Sequence, residues 1–359
     1  MKKVLIETHH LYYWPNFLPV VQEMLKRGTY DIYVSMPVRS SQTQENILSN
    51  ACESAKISFL SAETEDKRIK ILNDKNFDVI IVGNVGQLNK ISSSRALVVM
   101  VYHGIGLKQS YYTDIDPRVD IRSVESVARF NELKSHGHDN IVLTGYTKLD
   151  RLVNFSNSEI KFTNQKLQLD PDKKSVLYAP SFYPTSIDKL HPYLLDLSQD
   201  HNIIIKLHGF GWEQKKYQYQ NSLCSELSKK SNSIHLLQNE DYDIIPYYLC
   251  SDMLISDISS TLFEYLPMDK PIIQAQCYNL KLKHRIFKKR FWKKMDIDRQ
   301  DNVDFAYQIV EPDDILGMVY YAMNNHDEMS TKRKEATEHY LYKVDGNASS
   351  RLIDAIEAY

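Results

Sequence analysis

Residues 252–276 read DMLISDISSTLFEYLPMDKPIIQAQ: an apolar run, a short polar turn, a helical stretch and a second apolar run. Met253, Leu254 and Ile255 are apolar in succession, so both faces of that strand must be covered. Two such strands joined by a helix form the unit of a parallel sheet, because parallel neighbours need a crossover where antiparallel ones take a hairpin. The helix is expected to start near Ser259 or Ser260, carry Leu262, Phe263 and Leu266, and stop at Pro267.

The same alternation runs outward in both directions. Strands are expected at 3–7, 31–36, 57–60, 78–83, 96–103, 119–124 and 140–145, and again at 175–181, 202–209, 233–237, 252–256 and 271–276. Between them lie helical stretches such as FLPVVQEMLKRG, QENILSNACESA, EDKRIKILNDK, DKLHPYLLDLSQ and QYQNSLCSELSKK. Residues 154–173 are polar without clear periodicity and read as a connection. The fold class expected is therefore α/β with two Rossmann-like, doubly wound domains, 1–155 and 174–340, whose strand ends face a central cleft. The tail 341–359 carries Leu352, Ile353 and Ile356 at helical spacing and is expected to pack back on the first domain.

Composition narrows the function classes. The chain has 359 residues, 43% hydrophobic and 25% charged, with a net charge of −2, which offers no overall field for nucleic acid or an anionic membrane. Its four cysteines are scattered without CxxC pairs, which argues against a disulfide frame or a zinc site. The run VLI after Lys2 and Lys3 is too short for a signal peptide, and no stretch is long enough to span a bilayer. A cytoplasmic protein is expected, or one peripheral on the inner face of the cell membrane. The basic stretch RIFKKRFWKKM (285–295) would suit an anionic lipid or polymer, or be a solvated face. No metal site and no cofactor motif is present, and KVLIETHH stands where a GxGxxG would follow the first strand.

Three places carry chemistry-bearing side chains. In the opening stretch, Asp257, Ser259, Ser260 and Thr261 crowd the start of a helix, where free N–H groups favour an anion. A plain N-cap needs one such residue, and the sequence leaves cap and phosphate cradle both open. In VMVYHGIGLKQ (99–109), His103 ends an apolar strand and is followed by Gly104, Gly106 and Lys108, a pattern for a cleft-facing base. IIIKLHGF (203–210) repeats the arrangement with His208 and Gly209. His9 and His10, with Tyr12, Tyr13 and Trp14, follow the first strand and would either shape an acceptor side or pack as an aromatic loop. Arg118, Arg122, Lys148 and Arg151 are further candidate anion contacts.

With these residues in place, the chain resembles the CDP-glycerol glycerophosphotransferase family, the teichoic-acid and capsule phosphopolyol transferases. YHGIGLK (102–108) resembles the family's Trp-His-Gly-Thr-x-Leu-Lys, and TGYTKLDRL (144–152) its Gly-x-Pro-Arg-x-Asp-x-Leu. VLYAPSFY (176–183) is similar to Leu-Tyr-Ala-Pro-Thr-Trp, and IIIKLHGF to a strand ending in His-Pro. LISDISSTLFEYLPMDKPII and VDGNASSRLIDAI (344–356) match the remaining two motifs in order. The resemblance begins near residue 100; the first hundred residues match in architecture only.

The resemblance implies a GT-B fold that takes a CDP-linked polyol donor and transfers its phosphopolyol to a hydroxyl of a polymeric or lipid-linked acceptor. It implies His103 as the base, His208 as the group stabilising the diphosphate, and Ser259 and Ser260 near the phosphates, with Thr261, Asp257, Glu264, Gly209 and Ser181 in the donor region. Four departures bear on donor identity: Gly209-Phe210 after His208, Tyr146-Thr147 for Pro-Arg, Ile258 for Tyr, and Glu264 for Asp. The rival expectations are a GT-B sugar transferase or epimerase using a UDP-sugar, and a nucleotide-binding assembly protein without turnover.

Overall fold

The computed structural model describes residues 1–38, 41–91, 93, 95–105, 116–294 and 303–359. They form two compact units. The first holds Met1–Gly104, the chain up to Asn154, and His339–Tyr359; the second is built on Phe155–Glu338.

The first unit is a parallel sheet of seven strands: β1 (Lys2–Glu7), β2 (Tyr30–Ser35), β3 (Ser58–Leu60), β4 (Val79–Val82), β5 (Leu97–Val101), β6 (Ile121–Val124) and β7 (Ile141–Leu143). They lie side by side as β3-β2-β1-β4-β5-β6-β7, so chain direction across the sheet reverses between β1 and β4. Val4, Leu5 and Ile6 of β1 and Val79 to Val82 of β4 are buried, which is why these runs are apolar without alternation. Each such side chain contributes roughly 1.5–3 kcal/mol by leaving water.

The last helix, Ala348–Ala358, belongs to this unit and buries Leu352, Ile353 and Ile356 against helix Trp14–Arg27. Asp150 accepts hydrogen bonds from the N–H groups of Ala348 (2.8 Å) and Ser349 (2.7 Å), closing the helix start with a carboxylate. Arg351 Nε donates to the Thr144 carbonyl at 2.6 Å, and Arg27 pairs with Asp354 and Glu357, each at 2.6 Å. The stretches TGYTKLDRL and VDGNASSRLIDAI thus meet as a structural latch.

The second unit repeats the plan with β8 (Lys174–Ala179), β9 (His201–Ile205), β10 (Ile234–Leu236), β11 (Met253–Ser256), β12 (Ile272–Ala275) and β13 (Tyr307–Ile309). Their order is β10-β9-β8-β11-β12-β13, again parallel, with the reversal between β8 and β11. Ser256 lies level with Ala179 across that reversal.

Several elements differ from expectation. Asn157–Leu167, within the supposed connection, is a helix of the second unit, started by a capping box between Ser156 and Glu159. The expected single helix DKLHPYLLDLSQ is two, Ile187–Leu190 and Tyr193–Leu197, with Pro192 between them. Strand β13 and helices Val127–Ser135, Ile315–Asn324 and Ser330–Tyr340 were not expected. The helix after β11 is short, Thr261–Glu264, followed by a 3-10 turn at Leu266–Met268. Among the described residues no helix is long and apolar enough to cross a membrane.

Candidate active site

Open parallel sheets bind ligands outside the carboxyl ends of their strands, where strand order reverses. In the first unit that point lies between the exits of β1 and β4, and β5 adds His103 beside them. Glu7 ends β1 and is fully buried. Its Oε2 lies 2.9 Å from Nη1 of the equally buried Arg68, which also donates to Ser35 Oγ. Burial pushes the Glu7 carboxyl up to about 7, with Arg68 opposing the shift. His9 is buried beneath Gly86, where φ is +47° and a Cβ would fall 1.7 Å from His9 Nε2. It is placed to pack. His10 is half-buried and stacks on Tyr12 at 5.2 Å.

His103 is held from two sides. Its ring stacks on Tyr13 with centroids 3.9 Å apart and planes 17° apart. Its Nδ1 lies 2.8 Å from the Gly83 carbonyl, which can only accept, so Nδ1 carries a proton and, in the neutral ring, the lone pair is on Nε2. Gly83 permits this closeness: a Cβ there would stand 2.7 Å from Tyr13 Cδ2. Asn84 in turn donates to the Tyr13 hydroxyl at 3.0 Å. A histidine with a basic Nε2, fixed at a strand exit, is equipped to take a proton. Gly104 follows it and is buried, whereas Lys108 lies outside the described residues.

The second unit places His208 after β9, Ser181 after β8 and the hydroxyl loop after β11. Asp257 ties the reversal point together. It accepts from Ser181 N at 2.6 Å, Ser186 N at 2.9 Å and Ser186 Oγ at 3.1 Å. Burial pushes its carboxyl up to about 6 despite these donors. Ser181 directs its hydroxyl to the Pro184 carbonyl. Both residues shape the loop from within. Glu264 is likewise buried, accepting from Tyr248 Oη at 2.9 Å and Ser260 Oγ at 3.2 Å. The longer glutamate side chain thus reaches back into the unit.

Ser259, Ser260 and Thr261 are half-buried at the loop surface. Ser256 Oγ donates to the Ala179 carbonyl and meets Thr261 Oγ1 at 2.8 Å, which meets Ser259 Oγ at 3.0 Å. That chain of hydroxyls fixes Thr261 inside the loop and carries Ser259 at its outer end.

His208 has the opposite tautomer from His103. The Phe210 N–H donates to its Nδ1 at 3.1 Å, so the ring proton sits on Nε2, and His208 presents a donor. Phe182, next to Ser181, packs 4.7 Å from the His208 ring and 4.9 Å from Phe210, linking the exits of β8 and β9. Gly209 has φ −49°, close to the value a proline imposes, so its backbone conformation does not itself call for glycine.

Arg118 and Arg122, candidate anion contacts by sequence, instead bind the chain itself. Arg118 reaches Asp120 and the Ser93 carbonyl, and Arg122 the Asp116 carbonyl. Glu7, Gly83, Asn84 and Phe182 are site-shaping residues that sequence reading missed. Their one sequence signal was position just at or beyond a strand end. Among the described residues no three His, Cys, Asp or Glu side chains gather as a metal site.

Residues 123–358 match the family described as CDP-Glycerol:Poly(glycerophosphate) glycerophosphotransferase. The chain belongs to that family. The match starts after His103. A teichoic acid poly(ribitol-phosphate) polymerase of Bacillus spizizenii is 24% identical over 61% of this chain and 33% of its own length. A teichoic acid poly(glycerol phosphate) polymerase of Staphylococcus epidermidis is 26% identical over 58% of this chain and 26% of its own. The chain thus spans a third or less of the curated relatives it matches. Among solved structures, the wall teichoic acid polymerase TagF superposes with a TM-score of 0.72 at 18% identity, covering 99% of this chain and 88% of that one. The UDP-GlcNAc 2-epimerase of Neisseria meningitidis gives 0.61 at 16%, covering 99% and 100%. At such identities both likenesses speak for the fold alone, which is of the GT-B type.

Proposed function

We propose that this protein transfers a polyol phosphate from a CDP-activated donor to a hydroxyl of a cell-wall polymer or lipid-linked acceptor, releasing CMP. The observation that carries the reading is the pair of opposite tautomers, a basic Nε2 on His103 and an Nε2–H donor on His208. His103 takes the proton of the acceptor hydroxyl as its oxygen bonds to the polyol-bearing phosphorus. The bond from that phosphorus to the bridging oxygen breaks, and the charge gathering on departing CMP meets His208 Nε2–H. Ser259 supplies a hydroxyl to the phosphate oxygens, while Asp257, Ser181 and Glu264 hold their loops, Glu264 by accepting from Ser260. Catalysis of this kind needs positioning and charge stabilisation, not a covalent intermediate. His10 and Tyr12, beside the stacked Tyr13 and His103, border the acceptor side.

Peripheral contact with a membrane that carries such an acceptor belongs to the same reading. Leu282, Ile286 and Phe287 are exposed beside Lys281, Lys283, Lys288 and Lys289, which suits an anionic bilayer. The experiment is CMP release from CDP-glycerol and CDP-ribitol with acceptor on anionic vesicles, run beside a thermal-shift panel of nucleotides. Stabilisation by CMP and CDP with acceptor-dependent CMP release is expected. Stabilisation by UDP-sugars alone, with no CMP formed, would overturn the reading in favour of a UDP-sugar enzyme.

A further inference from the structure

The helix Val127–Ser135 of the first unit carries Arg129, wholly buried. Its guanidinium lies 4.6 Å from the ring centroid of Tyr102, and its Nη2 donates to the Gly104 carbonyl over a long 3.4 Å. Tyr102 and Gly104 are the residues immediately before and after His103. Behind the guanidinium, Nε pairs with Glu125 Oε1 at 2.9 Å. Glu125 follows β6, the strand beside β5, and its carbonyl accepts from Tyr342 N at 2.6 Å. Ser126 caps the helix by accepting from Arg129 N at 3.1 Å. The grip on both neighbours of His103 is therefore anchored in the sheet and at the helix start.

A buried ion pair is a poor way to fill a core, because apolar side chains of the same size stabilise as well or better. A planar guanidinium can, however, lie flat on a ring, reach a carbonyl and pair with a carboxylate at once, which a lysine cannot. We infer that Arg129 is a positioning residue for His103, holding the Tyr102 ring before it and the Gly104 carbonyl after it so that Nδ1–H stays on the Gly83 carbonyl and Nε2 stays basic. The inference rests on the reading of His103 as the base. Because Gly83 O and Nδ1 are only 2.8 Å apart, a backbone shift of about 1 Å would release the bond and let the ring choose either tautomer.

The test uses the full chain with 15N-labelled histidine, whose long-range 1H–15N spectra report ring tautomers; His103→Ala identifies the His103 signals. Arg129→Lys keeps the charge opposite Glu125 but cannot hold the Tyr102 ring and the Gly104 carbonyl together. The double variant Glu125→Gln with Arg129→Gln removes both charges together, so no charge is left buried alone, and it is read where the lysine variant fails to fold. In the wild type His103 is expected as the Nδ1–H tautomer, and in the folded variant as a mixture. The variant's kcat is expected to fall by about 10-fold or more, with donor binding within about twofold. A folded variant that keeps tautomer and kcat overturns the inference, as does loss of the tautomer without loss of kcat. If both variants unfold, Arg129 is a core residue and the inference fails. Should the wild type turn over no CDP-linked donor, the proposed function fails, while the tautomer spectra still decide whether Arg129 positions His103.

Discussion

Glutamine substitution should separate the two strand-end histidines, because their protons are on different nitrogens. The Phe210 N–H occupies Nδ1 of His208, so the ring can offer only Nε2–H to a ligand. Glutamine supplies an amide N–H at about the same reach, whereas alanine supplies nothing. Loss of one preorganised donor at a developing negative charge costs about 10²- to 10³-fold in kcat, roughly 2.7–4 kcal/mol. His208→Ala should fall in that range, and His208→Gln should recover to within about tenfold of wild type, since a neutral donor replaces a neutral donor. His103 offers a lone pair on Nε2, held there by the Gly83 carbonyl. An amide nitrogen is no base, so His103→Gln and His103→Ala should fall alike, by about 10²- to 10⁴-fold. The assay is the initial rate of CMP release at saturating CDP-polyol, with CMP binding measured as the control for folding. His208→Gln no faster than His208→Ala, or His103→Gln clearly faster than His103→Ala, would refute the assignment of roles.

Two further predictions concern buried carboxylates of the family-like stretches. Asp150→Ala leaves the buried N–H groups of Ala348 and Ser349 without acceptors and should cost about 2–4 kcal/mol in urea unfolding, with turnover per folded molecule unchanged; a loss below about 0.5 kcal/mol would show that the latch is slack. Asp257 holds its proton to about 6 in the folded protein, above the roughly 3.9 of an unfolded chain, so its contribution to stability is full below about pH 4 and is lost as pH rises through 6. Asp257→Asn should flatten the decline of urea-derived stability between about pH 4 and 7, by about 2 kcal/mol, and an unchanged slope would mean that Asp257 does not titrate there.

Strands buried on both faces, such as Val79–Val82 and Met253–Ser256, were legible because burial leaves no room for polar alternation. The pattern failed where one side is open. In Asn157–Leu167 only Thr163 is buried, so no apolar stripe exists to be read, and the usable signal was Ser156 with Glu159 three residues on. β13 is an edge strand of three residues with Gln308 exposed, too short and mixed to stand out. At the site, the strand-end histidines and the hydroxyl loop were legible as residue types at strand exits. Side-chain direction was not: Asp257 and Glu264 lie inward because main-chain and tyrosine donors wait there, and those donors come from residues 181, 186 and 248.

The distinction also changes what a shared motif means. TGYTKLDRL and VDGNASSRLIDAI are among the stretches that mark the family resemblance, yet Asp150 and Arg351 work on each other's segments and hold a helix in place. YHGIGLK lies ahead of the matched residues 123–358 and still carries the imidazole with the fixed tautomer. Motif strength therefore does not rank residues by chemistry. The hydrogen-bonding partner of a ring nitrogen does: a carbonyl at Nδ1 leaves Nε2 of a neutral His103 ring as an acceptor, and an N–H at Nδ1 leaves Nε2 of His208 as a donor. The two partners, Gly83 and Phe210, are a residue with no side chain and a backbone amide. Their roles follow from where two strands end, and are fixed only once the sheets have formed.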